Sequence, residues 1–292
     1  GDRMSAYRMK SWEDLTIRDD YMFKLIMSRK RICKQMLERI LHIEIADLSY
    51  LETEKSMSTR YQSKGIRLDV YVKDEQGTVY NIEMQVRKPE AEGLAKRTRY
   101  YQSMMDADLM EPGTDYLALN QTIIIFICPF DPFDAGRYLY TFENVCQEDH
   151  EITLGDGTRK IFLNTKGTHG SIDDSIKAFL HYVDGVISDD LFVQEIDEEI
   201  HNIKIKGQER MGYMFFADRI SEERQEAMQE GRAEGRTEGR AEGRAEGRTD
   251  ERMSNIRQLI AKLKMSAEQA MDVLDVPMSE RPRYRELLQT VQ

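Results

Sequence analysis

Polar and apolar residues alternate through two neighbouring stretches, residues 65–73 and 78–86, with Glu75-Gln76-Gly77 between them. Alternation puts residues two apart on one face of a strand. Ile66, Leu68, Val70 and Val72 therefore share one face of the first strand, and Arg67, Asp69 and Tyr71 share the other. In the second strand Tyr80, Ile82, Met84 and Val86 oppose Asn81, Glu83 and Gln85. A three-residue loop with Gly77 in the left-handed conformation predicts a hairpin that pairs Asp74 with Thr78. Counting back from that pair sets Asp69 opposite Glu83, and Arg67 opposite Gln85.

The stretch TIRDDYMFKLIMSRKRICKQMLERIL has Phe23, Ile26, Met27, Met36, Leu37 and Ile40 at helical spacing, which predicts one amphipathic helix entered through Thr16 or Asp19. A loop and strand are expected near 47–60, and a basic helix from about Pro89 to Asp108. The apolar run Ile123 to Cys128 is too short to span a bilayer and reads as a buried strand. RYLYTFENV and EITLGDGTRKIFLNT read as further strands, the second as a hairpin turning on Gly-Asp-Gly. SIDDSIKAFLHYV, entered after Ser171 or Asp173, and DDLFVQEIDEEIHNIKI read as helices. The tail holds EGRAEGRTEGRAEGRAEGR, then short helical patterns broken by Pro277 and Pro282. The division expected is a core at 10–165, a helical extension at 166–225, a repeat helix or tether at 226–252 and a small helical segment at 253–292.

Composition narrows the function classes. Of 292 residues, 40% are hydrophobic, enough for a real core, and 33% are charged, which suggests that part of the chain is solvated helix. A net charge of -11 argues against wholesale coating of nucleic acid but leaves room for a local basic site. The three cysteines (Cys33, Cys128, Cys146) form no CxxC and read as packing residues of a reducing cytoplasm. The five histidines lack metal-ligand spacing, so zinc is not expected. The N-terminal residues show no signal-peptide pattern.

Two like charges directly across a ladder are destabilising. A hard divalent cation such as Mg²⁺ between Asp69 and Glu83 would offset that cost, because it prefers carboxylate oxygens. An ordinary hairpin with a solvated polar side fits the same pattern, and both readings stand at this point. Likewise Asp20 suits a plain first-turn acid, Arg97 and Arg99 suit plain surface charges, and Tyr101 suits a core aromatic.

With its neighbours, the hairpin resembles the PD-(D/E)XK nuclease core, and more closely the recombination-promoting nuclease and transposase family. The landmarks are DYMFK at Asp20–Lys24, LDVYVKDEQGTVYNIEMQ, RTRYYQSM from Arg97, GTDYLAL, and FICPFDPF. They cover about residues 16–190. The resemblance implies an α/β, restriction-endonuclease-like core with a central mixed sheet flanked by helices, and cleavage of DNA phosphodiesters with Mg²⁺, or alternatively Mn²⁺ or Ca²⁺. It implies Asp69 and Glu83 as metal ligands, with the Met84 backbone carbonyl as a third. Gln85 stands where most of the superfamily has Lys, and Asp20 would lie near the metal. It also implies that Arg97, Arg99 and Tyr100 contact phosphate, beside the basic Arg87 and Lys88. Gln85 can orient water but carries no charge. A catalytically weak or inactive nuclease fold, kept as a nucleic-acid-binding or oligomeric interaction module, is the alternative.

In the repeat, each residue type recurs every four positions, so on a helix Glu stacks on Glu and Arg on Arg. Each Gly costs roughly 1 kcal/mol against Ala. An isolated helix is thus marginal. The small-residue row allows close approach of another chain, and a homo-oligomer assembled through the repeat is the expectation set against a flexible tether. A DNA-reading role for residues 253–292 is disfavoured by the acidic SAEQAMDVLDVP.

Overall fold

The computed structural model describes residues 9–51, 68–90 and 92–289. The expectations for Ile66, Arg67 and the chain from 52 to 60 lie outside them. The chain forms two compact units, residues 1–214 and 215–292.

The first unit is built on a six-stranded mixed sheet in the order β1-β2-β3-β4-β6-β5. Its strands are β1 (Leu48–Tyr50), β2 (Val70–Asp74), β3 (Val79–Met84), β4 (Thr122–Cys128), β5 (Leu139–Phe142) and β6 (Thr158–Asn164). The β3–β4 and β4–β6 pairs are parallel; the β1–β2, β2–β3 and β5–β6 pairs are antiparallel. The hairpin has the register counted from its turn: Val70 faces Ile82 and Tyr71 faces Asn81. Asp74 N donates to Thr78 O at 3.0 Å, and Gly77 sits at φ 86°, where a side chain would be strained. Both β3 and β4 are buried along their whole length. Strands covered on both faces read as continuous apolar runs, as Ile123 to Cys128 does.

Helix α3 (Gly93–Leu109) covers the face that carries Tyr71, Val79, Ile124, Phe126 and Phe162, packing Leu94, Tyr101, Met104 and Met105 onto it. Each such side chain removed from water contributes about 1.5–3 kcal/mol. Helices α1 (Asp20–Met27), α2 (Lys30–Leu41), α4 (Asp174–Val183) and α5 (Leu191–Lys206) pack on one another. Asp173 caps α4 and Asp190 caps α5, each accepting two backbone N–H groups, and Gly207 ends α5 at φ 64°. Of the three cysteines expected to pack, Cys33 and Cys128 are buried, and burial pushes both thiols up to about 12, while Cys146 is only half-buried and donates to Glu148.

Three expectations are corrected. The first helix is two helices: Arg29 is extended (φ -78°, ψ 102°) between them and pairs with Glu199 on α5 at 2.7 Å, and α2 buries Ile32, Cys33, Met36 and Leu37. The basic helix begins at Gly93, because Glu92 before it adopts a left-handed conformation at φ 65°. The segment 151–154 is no strand of a hairpin. It makes a single bridge, Val145 to Thr153, leaves Ile152 and Leu154 exposed, and β6 pairs instead with β4 and β5.

Helix α6 (Arg210–Leu263) runs through the repeat, and residues 231–248 are exposed along it. In the second unit Met253 and Ile256 pack with Ala270, Met271, Val276 and Tyr284 from α7 (Ala267–Val273) and α8 (Arg281–Gln289) and the turn joining them. A capping box of Ser266 and Gln269 starts α7. Arg252 pairs with Glu280, Arg281 with Asp272, and Arg285 with Glu268, so carboxylates of the bundle itself neutralise these arginines.

Candidate active site

The carboxylates meet at the C-terminal end of β3. Continuing the hairpin register by one residue sets Asp69 opposite Glu83, and the backbone N–H of Asp69 donates to Glu83 Oε1 at 2.9 Å. The next N–H on β3, that of Met84, goes to Asp69 Oδ2 at 3.1 Å. In an antiparallel ladder that N–H faces the neighbouring strand. Asp69 thus takes the place of a ladder acceptor at the point where the pairing ends, and the Met84 carbonyl points to the same side.

Both acids are out of water. Glu83 is 5% exposed and the Asp69 side chain 11%. Burial, then the Asp69 charge, drives the Glu83 carboxyl well above the usual carboxylate range. Burial and the nearby Asp20 push Asp69 up to about 7, against the pull of Lys24 and the Met84 N–H. The solvated-hairpin reading is corrected here: α3 covers this face, and Asn81 beside the pair is fully buried.

Two cations, on two different helices, approach the pair. Arg97 of α3 donates to Gln85 Oε1, and its guanidinium lies 5.0 Å over Phe126 and 5.6 Å over Tyr101. Gln85 Nε2 donates to Arg87 O at 2.5 Å. Lys24 Nζ lies 3.5 Å from Asp69 Oδ1 and 3.3 Å from Asp20 Oδ2. Burial opposes the ammonium, but Asp69 and Asp20 hold it above its ordinary value.

The other residues singled out in the sequence fall at different distances from this centre. Asp20 is near the pair but leans on Lys24. Tyr100 is half-buried against the α3 core, Arg87 and Arg99 are exposed, and Lys88 pairs with Asp134 at 2.9 Å. Tyr101 is a core aromatic stacked on Phe126. Lys24 was passed over in the sequence; its place in DYMFK, one turn after Asp20, was the available signal. Asn81 was passed over too.

The donor set suits a hard divalent cation. Among the described residues no cluster of three or more His, Cys, Asp and Glu could hold a metal. Two carboxylates with a backbone carbonyl and water is nonetheless a common way to bind Mg²⁺, which keeps much of its hydration shell. Buried like charges with both pKa values raised are also the electrostatics of a pair that gains by taking up a cation.

A mixed sheet flanked by helices, with an acidic pair at the end of a central hairpin and a glutamine two residues beyond, defines an α/β fold of the nuclease class. The family model of the PD-(D/E)XK nuclease family transposases matches residues 17–177. The chain belongs to that family, and its function is of the nuclease type. No curated protein and no solved structure matches it. Among the described residues no helix is long and apolar enough to cross a membrane.

Proposed function

We propose that the protein is a divalent-metal-dependent DNA endonuclease acting in recombination, on mobile elements or in defence. The observation that supports this most is the burial of Asp69 and Glu83 side by side at the edge of the hairpin. An acidic pair is kept there, against its electrostatic cost, where it serves to bind a cation. Asp69, Glu83 and the Met84 carbonyl would hold the metal, most simply Mg²⁺, which supplies an activated water and offsets the charge of the phosphoryl group.

The remaining work falls to the chain's own side chains. Gln85, oriented by Arg97 at one end and the Arg87 carbonyl at the other, fixes the attacking water by hydrogen bonds. Arg97 adds a positive field beside Glu83 and faces the phosphate backbone, where Arg87, Lys88, Arg99 and Tyr100 extend the contact. Asp20 supports the Asp69 side. Removing water from the pair strengthens each of these electrostatic effects.

The engagement of both ends of the Gln85 amide also suits a protein that binds nucleic acid without turnover. Plasmid nicking by pure protein across Mg²⁺, Mn²⁺ and Ca²⁺ separates the two. Nicking that disappears in Asp69→Ala and Glu83→Ala, with the fold intact, supports the enzyme. Full activity in both variants removes the assignment, and no cleavage in any metal favours the binding module.

A further inference from the structure

Two cations flank the carboxylate pair, but they are held differently. The Arg97 guanidinium is fixed between Gln85 and two aromatic rings. Among the described residues Lys24 is tied by ion pairs, its Nζ between Asp20 Oδ2 and Asp69 Oδ1 at 3.3 and 3.5 Å. Its side chain is 33% exposed, and it lines a cleft of about 200 Å³ with Ser28, Tyr50, Leu68 and Asp69. A lysine is a compact charge with three donors on a flexible stem, able to follow a moving anion. Asp20 lies four residues before it on the same helical face, the orientation in which an acid–lysine pair stabilises a helix.

We propose that Lys24 shares with the metal in taking up the phosphoryl charge in this site, and that Asp20 is the positioning residue that aims it. This rests on the nuclease reading. It also explains how an uncharged Gln85 is tolerated: the ammonium comes from helix α1 rather than from strand β3. In the free protein Lys24 offsets the charge of Asp69. Once the carboxylates engage a metal, the ammonium keeps Asp20 and turns its free donors to a non-bridging phosphate oxygen.

The test uses the full chain with Lys24→Met, Lys24→Arg, Asp20→Asn and the double variant Asp20→Asn/Lys24→Met, all checked by circular dichroism for an unchanged fold at the assay temperature. Mn²⁺ binding is titrated by electron paramagnetic resonance at pH 8.5, and cleavage is timed in Mg²⁺ under single-turnover conditions. Removing a like charge next to Asp69 tightens Mn²⁺ binding in Lys24→Met by about 3-fold or more. Cleavage by the same variant falls on the order of 100-fold, the scale for losing one aimed charge. Lys24→Arg recovers part of that loss, and the double variant is no slower than Lys24→Met alone. Tighter metal with slower chemistry is a signature that a purely structural lysine does not give. Weaker Mn²⁺ binding, or Lys24→Met cutting at the wild-type rate, overturns the proposal alone. A wild-type protein that binds Mn²⁺ and cuts nothing overturns the nuclease reading with it.

Discussion

The acidic pair makes folding stability depend on pH in a direction opposite to that of most proteins. Asp69 rises from its ordinary 3.8 to about 7 in the folded state. Below pH 4 both states hold the proton and the group contributes nothing. Between about pH 4 and 7 the unfolded chain releases it while the folded chain keeps it, so stability falls as pH rises. Above 7 the loss levels off. A rise of about 3 pKa units at 1.36 kcal/mol each gives a total near 4 kcal/mol, of which about 3 kcal/mol lies between pH 5 and 8. The figure is the Asp69 share; Asp69→Asn removes it, while burial keeps Glu83 raised in both proteins. Trp12, the single tryptophan, is buried in the first unit and reports its unfolding. Urea unfolding followed by its fluorescence in EDTA should show the wild type losing about 3 kcal/mol more than Asp69→Asn between pH 5 and 8. Mg²⁺ at a hundred times its dissociation constant should restore about 2.7 kcal/mol at pH 8 in the wild type, and much less in the variant. Parallel pH profiles for the two proteins would refute the buried-pair electrostatics.

Arg97→Met should lower kcat/KM on the order of 10–100-fold by freeing Gln85 and removing a charge, with Arg97→Lys intermediate; cleavage kinetics decide. A Cβ on Gly167 would lie 2.5 Å from Tyr138 Cδ1 and 2.6 Å from its Cα, so Gly167→Ala should cost about 1–3 kcal/mol in urea unfolding. Neither polar atom of buried Asn81 has a partner among the described residues, so Asn81→Leu should raise stability by about 1–2 kcal/mol; a lower urea midpoint would show a partner. Truncation to residues 1–225 should reduce the oligomeric state seen by sedimentation, and an unchanged state would remove the repeat as an assembly element.

The hairpin was the most legible part of the fold, because its side-chain period of two and one turn glycine fix the register without long-range information. The apolar run at Ile123 was equally plain. The break at Arg29 was hidden, because no Gly or Pro marks it and the Glu199 that Arg29 pairs with lies 170 residues away. The segment Ile152 to Leu154 misled because alternation records only that a strand is possible, while β6 takes its neighbours from β4 and β5. At the site, Asp69 and Glu83 stood out as a like-charge pair. Lys24 did not, since an i, i+4 acid–lysine pair on a helix is ordinary until Asp69 is brought alongside.

The site also shows where this sequence departs from consistent folding. On the face of the hairpin under α3, Tyr71 and Val79 pack normally, while Asn81, Glu83 and Asp69 put an amide and two carboxylates where apolar side chains would serve stability better. Such departures concentrate at functional sites. A solvated hairpin would leave them harmless and a structural core would exclude them. A cation-binding edge needs Asp69 and Glu83 buried, because in water the same carboxylates would hold a divalent ion weakly and fix its place poorly. Lys24 and Arg97 limit the resulting strain without cancelling it, since both acids remain raised beside them. On the proposed reading, the residual imbalance would give the pair its drive to take up a cation.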